Sequence, residues 1–184
     1  WEAATLHDFQ IEPLFNATMH LIVLLGVFAA LLFVVAAGPR AETAPGVGAV
    51  HAGKFAQARR LLRKEAEAGN VSAQYYLGVL LIDGTGGPRR SVEGQRWRLS
   101  AAEAGDPGAQ YRVGVQLLRG GGVDVDKRAA LRWFEAAASQ GFAEAKFNLG
   151  FMHANAIGTP RSFQEAFRWY VSAASEGHAG AQYN

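Results

Sequence analysis

The 184-residue sequence contains no cysteine. That excludes disulfide staples and thiolate zinc sites, and it leaves the redox compartment open. Charge is sparse as well: Asp, Glu, Lys and Arg make up 18% of the chain, and 18 basic against 16 acidic side chains leave a net +2. No Lys or Arg precedes Arg40, and no charged residue lies between Leu14 and Ala37. Catalytic groupings are missing too. His7, His20, His51, His153 and His178 do not cluster by spacing. Gly120-Gly121-Gly122 lacks the Gly-Lys-Ser/Thr that opens a helix in a phosphate loop. Asp124 and Asp126 supply too few oxygens for a calcium loop. The sequence is therefore read as a non-enzyme, with no cofactor and no metal.

What is present is a period of 36 residues. Gly69, Gly105, Gly141 and Gly177 keep it; so do Ala73, Ala109, Ala145 and Ala181, then Gly78, Gly114 and Gly150, and Trp97, Trp133 and Trp169. A fixed period in this range marks stacked supersecondary units. Each unit reads as two helices. Asp106-Pro107 opens the first helix of the second copy, with Ala109, Val113 and Leu117 along one face. Gly120 to Gly122 closes it, and Asp126 caps a second helix whose apolar face is Ala130, Trp133, Phe134 and Ala137. In the third copy Ser162 is the cap and Phe163, Ala166, Phe167 and Trp169 form the face. The small columns at Ala109 and Gly114 let the helices approach, and the tryptophan column is expected to fill the wedge between neighbours. Because those tryptophans are assigned to the core, no nucleic acid is expected as a partner.

The run from Ala102 through Gly105, Asp106, Ala109, Gln110, Tyr111 and Gly114, then Gly120 to Asp126, Ala130 and Trp133, resembles a Sel1-like repeat, a relative of the tetratricopeptide repeats. The resemblance covers about residues 51–184, with three full copies and a truncated fourth within 69–184. It implies an all-α solenoid that binds proteins. Two departures stand out: the first copy has Gly94 in place of Ala130 and Ala166 and Gly87-Pro88-Arg89-Arg90 where the family has Val and Asp, and the third has Ala156 in place of Gly84 and Gly120. Both are read as loosened or specialised loops.

Ahead of the repeats, residues 1–13 form a mildly acidic segment that lies on a membrane surface or is held by a partner. Leu14 to Ala37 follows, 24 residues without a charge. As a helix it reaches ~36 Å, enough to span a hydrocarbon core. Its length, with no basic residue before it, favours a retained transmembrane helix over a cleaved signal peptide. Gly26, Ala29, Ala30 and Ala36 are candidate contacts for a neighbouring membrane helix. His20, near the start of the span, is read as a polar residue at headgroup level; contact with a haem or pigment is the alternative. Residues 38–50 read as a linker. Residues 51–68 read as one capping helix of a divergent leading repeat, with Leu61 in the tryptophan column. Arg59, Arg60, Arg63 and Lys64 make it basic, a solvated face or a patch for an acidic partner or anionic lipid. Tyr76, Arg112 and Asn148 share one column that differs between copies, and they are candidate partner contacts. The chain begins at Trp1 and ends inside a fourth repeat pattern, so it is expected to continue beyond Asn184 and to begin earlier.

The resulting expectation is a membrane-anchored protein–protein interaction scaffold on a bacterial inner membrane. It would serve as an accessory subunit of a larger respiratory or photosynthetic type of complex, with protein subunits and the lipid bilayer as partners. The alternative is an adaptor attached to an enzymatic domain elsewhere. Basic residues only after the span place the repeats in the cytoplasm, whereas the resemblance, with many exported bacterial members, favours the periplasm.

Overall fold

Every regular element is helical in a computed structural model that describes residues 44–120 and 122–183. The elements are α1 (Pro45–His51), α2 (Phe55–Glu67), α3 (Val71–Asp83), α4 (Ser91–Glu103), α5 (Pro107–Arg119), α6 (Lys127–Ser139), α7 (Ala143–Ala154), α8 (Phe163–Ser175) and α9 (Ala179–Tyr183). The three full copies are the pairs α3–α4, α5–α6 and α7–α8. Each pair places a first helix (A) against a second (B), and the next pair stacks on it, giving an all-α solenoid. The tail 1–13, the 14–37 span with His20, Gly26, Ala29, Ala30 and Ala36, and the start of the linker lie outside the described residues. No helix among the described residues is long and apolar enough to cross a membrane.

The helix starts follow from their caps. Asn70, Asp106 and Asp126 accept hydrogen bonds from the amides of Ala73 (2.8 Å), Ala109 (2.7 Å) and Ala129 (2.8 Å), and Ser162 accepts from Glu165 (3.2 Å). These satisfy first-turn donors that have no partner within the helix. α3 and α5 end on Gly84 and Gly120 in the left-handed region. The third copy keeps that geometry at Ala156, with φ of 56°. A β-carbon there costs roughly 1–2 kcal/mol, so the departure is a strained turn of the same shape as its glycine counterparts.

The A and B helices meet where helix A carries glycine. A β-carbon at Gly114 would lie 2.8 Å from the Phe134 ring, and one at Gly150 would lie 2.7 Å from the Tyr170 ring. The glycine column is thus the slot for an aromatic on helix B. In the first copy Arg98 stands at that aromatic position, and Gly94 replaces alanine. There the backbones themselves close up: a β-carbon at Gly94 would lie 2.7 Å from the Gly78 carbonyl oxygen, and one at Gly78 would lie 2.9 Å from the Gly94 carbonyl oxygen. Gly94 is therefore a packing residue inside α4, and its occurrence beside Arg98 compensates for the missing ring.

Successive pairs are joined at the end of each B helix. Gln74, Gln110 and Gln182 reach back with their side-chain amides to the carbonyls of Ala66 (3.3 Å), Ala102 (3.2 Å) and Ala174 (3.4 Å), each in the last turn of the preceding B helix. Gln74 and Gln110 are buried. Gln140 then donates to the Gln110 side chain at 3.0 Å. One repeat later the equivalent positions hold Lys146 and Glu176, an ion pair.

Three expectations are corrected. First, the linker and single capping helix give way to a short helix pair: Pro45–His51 is helical, and α2 starts at Phe55. The glycines of α1 read as loop, but Gly46 is needed for contact, since a β-carbon there would lie 2.7 Å from Leu62 and Glu65. Its amide donates to the Glu65 carboxylate at 3.0 Å. Second, Trp97, Trp133 and Trp169 are only half-buried, whereas Phe134 is fully buried. Third, Phe163 and Phe167 are exposed on α8, at 69% and 68%, while Ala166 is buried.

Phe134→Ala should destabilise the folded chain by about 3–5 kcal/mol, the cost of deleting a buried large aromatic. Trp133→Ala should cost distinctly less. Denaturant unfolding of both variants checks the order; equal losses would return the tryptophan column to the core.

Candidate functional site

The helix-A column divides on inspection. Tyr76 is half-buried against the leading helix pair, edge-on to His51 with ring centroids 6.1 Å apart. The Asn148 side chain donates to the Glu144 carbonyl of its own helix at 2.8 Å. Arg112 is exposed, its guanidinium 5.8 Å from the Tyr111 ring centre. Burial, with Arg112 as the next largest influence, holds the Arg98 guanidinium below its ordinary pKa. The Arg98 side chain donates to Gln116.

The four basic residues of α2 line a cleft of about 720 Å³ together with Arg90 and the loop Gly86-Gly87-Pro88. The loop sits on α2 tightly. Gly86 has φ of 77°, and a β-carbon there would lie 2.5 Å from the Phe55 carbonyl, so only glycine fits. Arg59 is pinned beneath the loop, its Nη2 donating to the Pro88 carbonyl at 3.0 Å. Burial, then the charges of Arg90 and Arg63, pull the Arg59 pKa down, and the Glu93 charge opposes them. Glu93 pairs with Arg63 at 2.7 Å and with Arg90 at 3.4 Å. The sequence marks Gly87-Pro88-Arg89-Arg90 as a specialised loop, but only the fold brings residues 86–90 over α2 and Arg90 to the basic run. No carboxylate pairs with Arg60 or Lys64 among the described residues.

A second cleft, of about 420 Å³, opens between α4 and the α5–α6 pair. Val92, Leu99, Val113, Leu117, Val123 and Trp133 make it apolar, and Arg96 is its one charged lining residue. It exists because a loop stands off. Gly158 in the third copy presses on the Lys127 carbonyl as Gly86 does on Phe55, with a β-carbon distance of 2.5 Å. The matching Gly122 would meet only the Gln95 side chain, at 3.4 Å. In the sequence this loop keeps the glycine of the column but has Asp124-Val125 where the two closed loops have Pro88-Arg89 and Pro160-Arg161, a difference whose consequence only the fold shows. The described residues hold no cluster of His, Cys, Asp and Glu able to bind a metal ion. His153 Nδ1 is buried without a partner among them.

A stack of paired helices with one period defines an α-solenoid of the tetratricopeptide-like class. Within that class the chain belongs to the Sel1 repeat family, matching it in three consecutive copies at 71–106, 107–142 and 143–178. It is similar to the crystal structure of a Sel1 repeat protein from Oxalobacter formigenes, with 35% identity and a TM-score of 0.64, covering 66% of this chain and 92% of that one. It is also similar to c5321, a protective antigen of uropathogenic Escherichia coli strains with an SLR fold, at 34% identity and a TM-score of 0.65; the match covers 68% of this chain but spans only 27% of that protein. Cysteine-rich protein B of Helicobacter pylori shares the fold alone, with 16% identity and a TM-score of 0.55, covering 68% of this chain and 95% of that one. A search of curated proteins finds no match.

The Glu93 pairs make a pH prediction. The hydrogen bond from Arg63 is the largest influence on the Glu93 carboxyl and holds its pKa below the ordinary value, against an opposing desolvation. A depressed folded pKa means stability that is present above the unfolded pKa and lost as pH falls through the folded one. Arg63 and Glu93 are 39% and 29% exposed, so the effect is limited to about 0.2–1 kcal/mol. Glu93→Gln should flatten the acid limb of stability against pH by that amount. Parallel denaturant titrations from neutral pH into the acid range check it, and superimposable curves would remove the pair from the account.

Proposed function

We propose that this chain is a protein–protein interaction scaffold, held at a bacterial inner membrane by the 14–37 segment and serving as an accessory subunit of a larger membrane complex. The observation that carries the interaction role is a stacked repeat frame with open clefts along it and no catalytic constellation among the described residues. Stacked helix pairs form extended surfaces suited to other proteins, and Sel1 repeat proteins act as such scaffolds rather than as enzymes. The membrane role is supported by the charge-free run of 24 residues in the sequence.

The full chain extracted from membranes in mild detergent should co-purify with defined integral membrane subunits, identified by mass spectrometry. Recovery as a lone monomer overturns the accessory-subunit reading, and extraction by salt without detergent overturns the anchor. With basic residues found only after the span, the repeats are assigned to the cytoplasm. Protease added to intact spheroplasts should leave them uncut; their digestion across a sealed membrane would reverse the orientation.

A further inference from the structure

The two clefts are one site in successive copies. Ala56, Arg59, Arg60 and Arg63 line the first, and Val92, Gln95, Arg96 and Leu99, 36 residues on, line the second. Gly87 in the first corresponds to Val123 in the second. The same register continues to Arg132 on α6 and to Phe167, Arg168 and Val171 on α8. One position never changes: Arg60, Arg96, Arg132 and Arg168 are all exposed, one on each B helix. Of these, only Arg168 has an ion-pair partner among the described residues, Glu165 at 2.8 Å. Chemistry changes along the ladder while its register does not. Five cations and one carboxylate line the first cleft. The second is apolar around a single cation.

We propose that this B-helix face docks an extended acidic segment of a partner protein, its carboxylates against Arg60, Arg63, Lys64 and Arg90, and an aliphatic or aromatic side chain in the groove beside Leu99 and Trp133. The proposal rests on the interaction reading above and names its surface and partner chemistry. An extended chain suits the face because the two clefts repeat in register on neighbouring helices, so successive side chains of one strand-like segment meet first charge and then apolar surface. Guanidinium groups bind carboxylates through charge-assisted hydrogen bonds, and the Arg63–Glu93 ion pair at 2.7 Å shows the cleft already taking one carboxylate. A bilayer would engage the cations alone, whereas the same face continues in register into the apolar cleft at Val92, Leu99 and Trp133, which a peptide side chain can fill. The face differs from the helix-A column of Tyr76, Arg112 and Asn148, two of whose side chains are engaged within the protein.

The test uses the full chain in detergent against a phage-displayed library of random short peptides, followed by fluorescence anisotropy with the synthesised winners. Selected sequences should combine several Asp or Glu with a nearby Leu, Ile, Phe or Trp, and binding should weaken with added salt. Arg60→Glu with Lys64→Glu should weaken binding about tenfold or more. Val92→Glu, at an exposed position in the apolar cleft, should do likewise, and Arg112→Glu should leave affinity unchanged. Thermal melts confirm that each variant is folded. Peptides that respond to Arg112→Glu and not to the B-helix variants overturn this surface while leaving the interaction role standing. Enrichment of uncharged or basic peptides overturns the partner chemistry. No enriched peptide, with binding instead to phosphatidylglycerol vesicles, overturns the proposal in favour of a lipid surface, and a failed co-purification above is what would count against the scaffold itself.

Discussion

The close approach of helix A to helix B is the constraint on which the rest of this structure depends. Each pair must bring two backbones together at the Gly78, Gly114 and Gly150 column, and the space left is filled in only two ways. A ring fills it in the second and third copies, at Phe134 and Tyr170. Backbone fills it in the first, where Gly94 lets α4 settle directly on α3. Core packing tolerates exchanges that conserve volume across a contact, and the Gly94–Arg98 combination is such an exchange spread over two positions. It also releases the aromatic site to a charged residue, which then takes its hydrogen-bond partner, Gln116, from the next copy.

With the pairs fixed, the loops between A and B become the variable element. Two of them lie against the start of the preceding B helix and one does not. Closure of the Gly86 loop on Phe55 walls the basic cleft; the stand-off of the Gly122 loop leaves the apolar one. A small difference in one loop thus alternates the chemistry of a surface whose geometry is set by the repeat. Chemistry that varies on a constant frame is what a binding solenoid requires, since specificity comes from differences between sites and not from the frame itself.

How much of this could be read from residues alone depended on whether a signal was local or spatial. The period, the helix pairing and the caps at Asp106, Asp126 and Ser162 were legible because each is a short-range rule: a column of small residues, a capping side chain three residues before its amide. The basic run on α2 was legible as composition. α1 was not, because glycine carries two meanings and its loop meaning dominates in Pro45-Gly46-Val47-Gly48. Trp133 was preferred to Phe134 as the core residue because it recurs, yet recurrence marks a place in the repeat and not its depth; Arg98 breaks the recurrence of the position that is actually buried. The clefts went unread, since they depend on how far a loop stands from the preceding helix; the shared glycine column hid the one local difference, Asp124-Val125 in place of Pro88-Arg89 and Pro160-Arg161.

The bonds that join successive pairs have a bearing on how such a chain can change length. Gln110 with Gln140, and Lys146 with Glu176, are each contained within one 36-residue unit, at 107–142 and 143–178. Part of what a unit asks of the one before it is a main-chain carbonyl, at Ala66, Ala102 or Ala174, which every B helix offers whatever its sequence; Arg63 with Glu93 and Arg98 with Gln116 are side-chain pairs that cross a joint as well. The side-chain pairs inside a unit travel with it, whereas the joints crossed by Arg63–Glu93 and Arg98–Gln116 tie a unit to its neighbour, so the chain can lengthen or shorten most freely where only a carbonyl is shared.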